Sequence, residues 1–183
     1  VIFQMAESYV KLNQTDKALS TYNKVITDYP KSSYVKKSLM GMGLIYYNSD
    51  RNNEAVKCYK QVINDYPGTP EAENALIGLK NVYVDMNDVD SYYSFVNGLG
   101  VLTSADLIEQ DSLSYQAAEK IYMSGDYARA SQSMKNYIQK HPDGRFLLNA
   151  NFYKGDCHYR ANENEDALQS FDYIIDRPRS RFT

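Results

Sequence analysis

The sequence predicts an all-α protein, an α-solenoid of about five stacked helix pairs, and three observations predict it. Asp28-Tyr29-Pro30, Asp65-Tyr66-Pro67 and Lys140-His141-Pro142 repeat one closing phrase. Twelve residues before each proline stands an alanine, Ala18, Ala55 and Ala130, and Ala167 begins a further copy whose Pro178 comes one residue early. Around these anchors the apolar residues follow the 3.6-residue period of a helix. Tyr92 fills the gap between Ala55 and Ala130, so the anchors are spaced 37, 37, 38 and 37 residues apart. A period of this size with helical patterning inside it marks a solenoid of helix pairs.

The repeats occupy approximately 1–35, 36–72, 73–110, 111–147 and 148–183 of one array. In the first, Ala6 and Tyr9 mark one helix and Ala18, Tyr22 and Val25 the next, with polar Asn13-Gln14-Thr15 between them. Gly43 and Tyr46, then Ala55, Tyr59 and Val62, do the same in the second. Small residues at these positions let two helices approach closely, and each proline ends a pair because it cannot continue a helix interior. Thr69-Pro70-Glu71 starts a helix with a capping hydroxyl, a proline at the first position and an acid at the positive end of the dipole.

The third repeat departs from the pattern. Its small positions hold Lys80 and Tyr92, and it closes on Val96-Asn97-Gly98-Leu99-Gly100 without a proline. A bend or irregular connection is expected near residues 97 to 104, followed by a longer helix from Ser104 to Ser124. The fourth repeat returns to type with Ala118, Ile121, Ala130, Met134 and Tyr137, and the fifth with Gly155, His158, Ala167, Phe171 and Ile174.

Composition narrows the function. With 43% hydrophobic and 23% charged residues the chain is an ordinary folded protein, and its net charge of −3 gives no field to hold nucleic acid. No apolar run reaches the length of a membrane span. The first residue is Val1 rather than Met, so the chain is expected to be an excerpt of a longer one. Cys58 and Cys157 fit neither a disulfide framework nor close metal-ligand spacing and read as structural thiols. Tyrosine is abundant, 18 residues against no Trp, which suits packed helix pairs and recognition surfaces.

Several local patterns suggest chemistry, and the register answers each. His141-Pro142-Asp143 spells the tripeptide of J-domain co-chaperones, yet it occupies the place of Tyr29-Pro30 and Tyr66-Pro67 and so reads as a turn. Gly41-Met42-Gly43 lacks the strand and third glycine of a dinucleotide loop. Asn48, Asp50 and Asn52 open like a calcium loop, but Tyr59 stands where its closing Glu belongs. His158 takes a position otherwise held by Tyr9, Tyr46 and Tyr83 and reads as a packed ring rather than a ligand or base. Arg177, Arg179 and Arg181 read as a solvated junction. No nucleophile, general base or carboxylate pair is placed by the register, so neither catalysis nor a cofactor is expected.

These residues resemble the tetratricopeptide repeat. The family asks for small residues at repeat positions 8 and 20, aromatics at 11 and 24, and Pro at 32. Ala6, Tyr9, Ala18, Tyr22 and Pro30 satisfy all five, as do Gly43, Tyr46, Ala55, Tyr59 and Pro67. The long period and Asp-Tyr-Pro endings look most like bacterial cell-envelope members, Tol-Pal-associated periplasmic proteins and outer-membrane assembly lipoproteins. The resemblance implies a right-handed superhelix whose first helices line an inner groove. Position 5 then reads Phe3, Met40, Ile77, Tyr115 and Phe152, and position 12 reads Val10, Tyr47, Val84, Tyr122 and Tyr159, with Arg160 among the polar groups beside them. Tyr47, Tyr122 and Tyr159 are expected to be the most exposed.

The implied function is a non-catalytic scaffold that binds a peptide or partner protein, in the periplasm or cell envelope, with the cytoplasm as the alternative. Phe3, Glu7 and Gly41 disfavour a clamp for acidic chaperone tails, which uses Lys and Asn at groove positions. A structural spacer or self-assembly segment, with apolar repeat ends that favour a homo-oligomer, is the alternative function.

Overall fold

The computed structural model describes residues 1–100 and 104–176, apart from the side chains of 104–107. The described residues form ten α-helices and no strand: α1 (Ile2–Lys11), α2 (Thr15–Asp28), α3 (Tyr34–Asn48), α4 (Asn52–Asp65), α5 (Pro70–Asp85), α6 (Val89–Gly98), α7 (Ser104–Met123), α8 (Tyr127–Lys140), α9 (Leu147–Arg160) and α10 (Asn164–Ile175). The all-α reading and the helix-pair register hold. No helix among the described residues is long and apolar enough to cross a membrane.

Two compact units make up the chain, Val1–Val82 and Tyr83 onward. The division falls within α5, in the repeat whose small positions are Lys80 and Tyr92.

In the first unit the register residues are the core. Ala6, Ala18 and Ala55 are fully buried, and Tyr22, Val25, Tyr59 and Val62 lie behind them. Gly43 of α3 faces the Tyr59 ring so closely that an added methyl would stand 2.7 Å from it. Thr69 caps α5 as the sequence suggests, accepting a hydrogen bond from the Ala72 amide at 3.3 Å.

In the second unit, Tyr115, Ala118, Met134, Tyr137, Leu147 and Ala150 form one apolar cluster shared by α7, α8 and α9. Val89 and Tyr93 of α6 pack with Ala117 of α7 in another, and Ile121, Ala130 and Cys157 form a third. Buried Asp111 holds the helices together. Its carboxylate accepts from the Tyr137 hydroxyl at 2.6 Å and from the Arg145 amide at 2.9 Å.

Between the two helices of every repeat the chain enters the left-handed region. Asn13, Asp50, Asn87 and Asn162 have φ of 55°, 56°, 55° and 60°, and Gly125 has 84°. The amides of Gln14, Arg51, Asp88 and Glu163 reach back to the carbonyls of Tyr9, Tyr46, Tyr83 and His158 at 2.9 Å, the six-to-one bond of a Schellman C-cap. Even the third repeat, with its altered small positions, keeps this turn.

The closing residues also agree. Tyr29, Tyr66 and His141 each follow a last helical residue with similar backbone angles, φ −131°, −133° and −120° and ψ 55°, 49° and 68°, outside the α region that a following proline disfavours. His141 therefore is a turn residue. In the third repeat α6 has 10 residues against 14 in α2, α4 and α8. The long helix α7 begins at Ser104 as expected and runs 20 residues to Met123. Of the expected irregular connection at 97–104, residues 101–103 lie outside the described residues, as do Arg177, Pro178, Arg179 and Arg181.

Candidate functional site

The expected partner face is carried by the first helix of each pair, and burial separates its members. In the first unit Ile77 on α5 is 55% exposed. Phe3, Met40 and Tyr47 are half-buried. Phe3 is held between two rings, its centroid 5.0 Å from that of Tyr34 and 5.8 Å from that of Tyr22. The Tyr22 hydroxyl donates to Glu7, and burial followed by that carboxylate raises its pKa well above the usual phenol range.

In the second unit Phe152 and Tyr159 stand seven residues apart on α9, 52% and 64% exposed, with Arg160 exposed beside them. Tyr115 requires a correction. It is 4% exposed, stacked on Phe146 at 4.5 Å and edge-on to Tyr137 at 5.7 Å, while its hydroxyl donates to Glu119 at 2.7 Å. Its ring is part of the core and offers no surface to a partner. The reason is local: Phe146, just before α9, covers the ring.

Tyr122 is also less open than expected. Its ring lies 4.4 Å from that of Tyr153 and 5.4 Å from that of Tyr127, and its hydroxyl donates to Asp156 at 2.7 Å. That hydrogen bond, with burial second, pushes the Tyr122 phenol up to about 12. Arg160 joins the same carboxylate through Nε at 2.5 Å and places its guanidinium 4.6 Å from the Tyr127 ring centre. Burial alone would raise the Asp156 pKa, but the bonds from Arg160 and Tyr122 outweigh it and hold the carboxyl below its ordinary range. Tyr122, Asp156 and Arg160 thus form one fixed polar ridge between α7 and α9. Tyr127 and Tyr153 complete it, and neither stands at a repeat position that singles it out.

The remaining reactive groups are placed for packing. Cys58 and Cys157 are buried free thiols, and burial raises both to about 11, far from a reactive thiolate. Gly41, Met42 and Gly43 lie inside α3. His158 differs from its expectation: it is half-buried and polar-bonded, with Nε2 3.1 Å from Ser131 Oγ and Nδ1 2.6 Å from Glu163 Oε2.

Family models described as tetratricopeptide repeat match residues 1–32, 37–69 and 122–180, together more than half of the chain. The chain belongs to the tetratricopeptide repeat family. The stretch without a match holds the third repeat, where Lys80 and Tyr92 break the pattern. Solved structures similar to this tetratricopeptide repeat protein include MamA (residues 41 to the end) from Desulfovibrio magneticus, 13% identical at a TM-score of 0.46, covering 100% of this chain and 96% of that one. YrrB, described as a tetratricopeptide repeat protein with an unusual peptide-binding site, is 16% identical at 0.45, covering 96% and 84%. A tetratricopeptide repeat protein from Parabacteroides merdae is 18% identical at 0.44, covering 98% of this chain and 65% of that one. No characterised protein sequence gave a significant match. Proteins of this family bind other proteins or peptides through their helix pairs.

Proposed function

We propose that the chain is a non-catalytic interaction scaffold that binds a peptide or partner protein on the first helices of its repeats. The observation that carries this reading is the exposure of Phe152 and Tyr159 on one face of α9, at 52% and 64%. Two large rings left in solvent at helical spacing are poor design for a surface and good design for an anchor site. The Tyr122–Asp156–Arg160 ridge beside them supports it, because its side chains are already held in place and lose little freedom on binding. Ile77 offers a corresponding anchor on α5. Phe3, Met40 and Tyr47 contribute only their exposed edges, and Tyr115 serves through packing alone.

The test is cross-linked capture from cell extract by three chains: wild type, Phe152→Ala/Tyr159→Ala, and Leu168→Ala. Leu168 is equally open, 60% exposed, but lies on the second helix α10. A partner captured by wild type and Leu168→Ala and lost by the double variant supports the groove reading. The same capture by all three moves the function to the spacer or self-assembly role. Because the Asp-Tyr-Pro endings favour an envelope setting, the extract includes envelope fractions.

A further inference from the structure

We infer that His158, Glu163 and Asp166 form a site for a divalent ion of the zinc class at the turn between α9 and α10. His158 lies in the last turn of α9, Glu163 is the N-cap of α10 and Asp166 lies in its first turn. The left-handed residue Asn162, φ 60°, folds the chain back between them. One donor atom from each of the three residues, an imidazole nitrogen and two carboxylate oxygens, lies within 4.8 Å of the others. Donors sharing one zinc ion stand about 3 to 4 Å apart, a difference that rotation of the exposed carboxylates closes. The imidazole is already aimed. Ser131 Oγ on α8 engages Nε2 at 3.1 Å and Nδ1 meets the Glu163 carboxylate at 2.6 Å, as an outer-shell partner orients a metal-binding histidine.

The repeat register supplies the second argument, because the same three positions recur. In the first repeat they hold Tyr9, Gln14 and Lys17, with the Lys17 ammonium 5.7 Å from the Tyr9 ring centre. In the second they hold Tyr46, Arg51 and Glu54, with Arg51 4.5 Å over the Tyr46 ring and 2.9 Å from Glu54. In the fourth they hold Ile121, Asp126 and Arg129, and Arg129 pairs with Asp126 at 3.7 Å. Each of these three triplets contains its own cation, and the third repeat's, Tyr83, Asp88 and Ser91, lacks one but carries a single carboxylate and no imidazole. The fifth has no cation: an imidazole and two carboxylates meet there, and α10 from Asn164 to Ile175 contains neither Lys nor Arg. Lys154 of α9 feels the Asp166 charge from nearby and competes with an ion for it. Imidazole with two carboxylates suits zinc and its neighbours in the first transition row.

The site is tested by titrating the untagged chain with Co2+, read by its visible ligand-field bands, and then with Zn2+ by displacement and calorimetry. Wild type is expected to bind one ion per chain. Glu163→Gln and Asp166→Asn, both at exposed positions, are expected to weaken it by about tenfold or more, and His158→Gln likewise. Lys154→Met is expected to tighten binding, and Cys157→Ser to leave it unchanged because that thiol is buried. Absence of Co2+ bands, or equal binding by wild type, Glu163→Gln and Asp166→Asn, overturns the inference. Loss of binding in Cys157→Ser overturns it too, by assigning the ion to the thiol.

Discussion

Gly155 of α9 lies directly against the Phe171 ring of α10, so that a methyl group added at Gly155 would meet Phe171 Cε1 at 2.6 Å. Here the family's preference for a small residue becomes a distance. Gly155→Ala is expected to destabilise the chain by about 1 to 3 kcal/mol, since the ring must shift in a packed interface. Gly98→Ala is the control with the opposite sign. Among the described residues nothing lies within 4 Å of a methyl at Gly98, so alanine at this last residue of α6 is expected to stabilise by about 0.5 kcal/mol through lower backbone entropy in the unfolded chain. Urea unfolding of the three chains checks both signs.

Such relationships were legible because they depend on period alone. Ala6, Ala18, Ala55, Ala130 and Ala167 are buried where the spacing placed them, and α7 begins at Ser104. Burial of Tyr115 was not legible. Its repeat position matches exposed Phe152, and the difference comes from Phe146 stacked over the ring. The role of His158 escaped for a similar reason. Its register position says aromatic ring, while Ser131 and Glu163, which make it polar, come from other segments. Periodicity reports which side of a helix faces inward and is silent about what stands opposite.

Asp111 of the second unit is a buried carboxylate, 8% exposed and bonded to the Tyr137 hydroxyl and the Arg145 amide. Asp111→Ala leaves the buried Tyr137 hydroxyl and the part-buried Arg145 amide without their acceptor and is expected to cost about 1 to 3 kcal/mol. Tyr137→Phe alone is expected to cost less. A double-mutant cycle read by urea unfolding is expected to show coupling of about 1 kcal/mol or more, and additive losses would show that the two groups act independently.

Acid should weaken the fold through His141. Burial lowers its pKa despite the nearby Asp111 carboxylate, with Lys140 adding to the decrease. Its Nε2 is buried without a hydrogen-bond partner among the described residues. A histidine whose folded pKa is depressed binds its proton more readily when unfolded, so stability is constant above about pH 7 and falls as pH drops through the ordinary value of about 6.5. His141→Tyr, the residue at the equivalent positions 29 and 66, removes this linkage. The expected result is a smaller loss of unfolding free energy between pH 7.5 and 5.5 in the variant than in wild type. Equal losses would place the acid sensitivity elsewhere.

The left-handed turns give the last prediction. At Asp50, φ is 56°, and the Arg51 amide that follows completes the bond to the Tyr46 carbonyl. A short polar side chain tolerates this conformation, glycine adopts it freely, and alanine meets its own backbone. Asp50→Gly is therefore expected to leave stability unchanged or raise it by a few tenths of a kcal/mol, whereas Asp50→Ala is expected to lower it by about 1 kcal/mol. The same pair of substitutions at Asn13 and Asn162 tests whether the effect belongs to the turn or to the residue, because the three sites share φ within a few degrees and differ in their neighbours. A glycine–alanine difference of similar size at all three, measured by thermal unfolding, would assign it to the backbone. A difference confined to Asp50 would assign it to the Arg51 and Glu54 pair that flanks that turn alone.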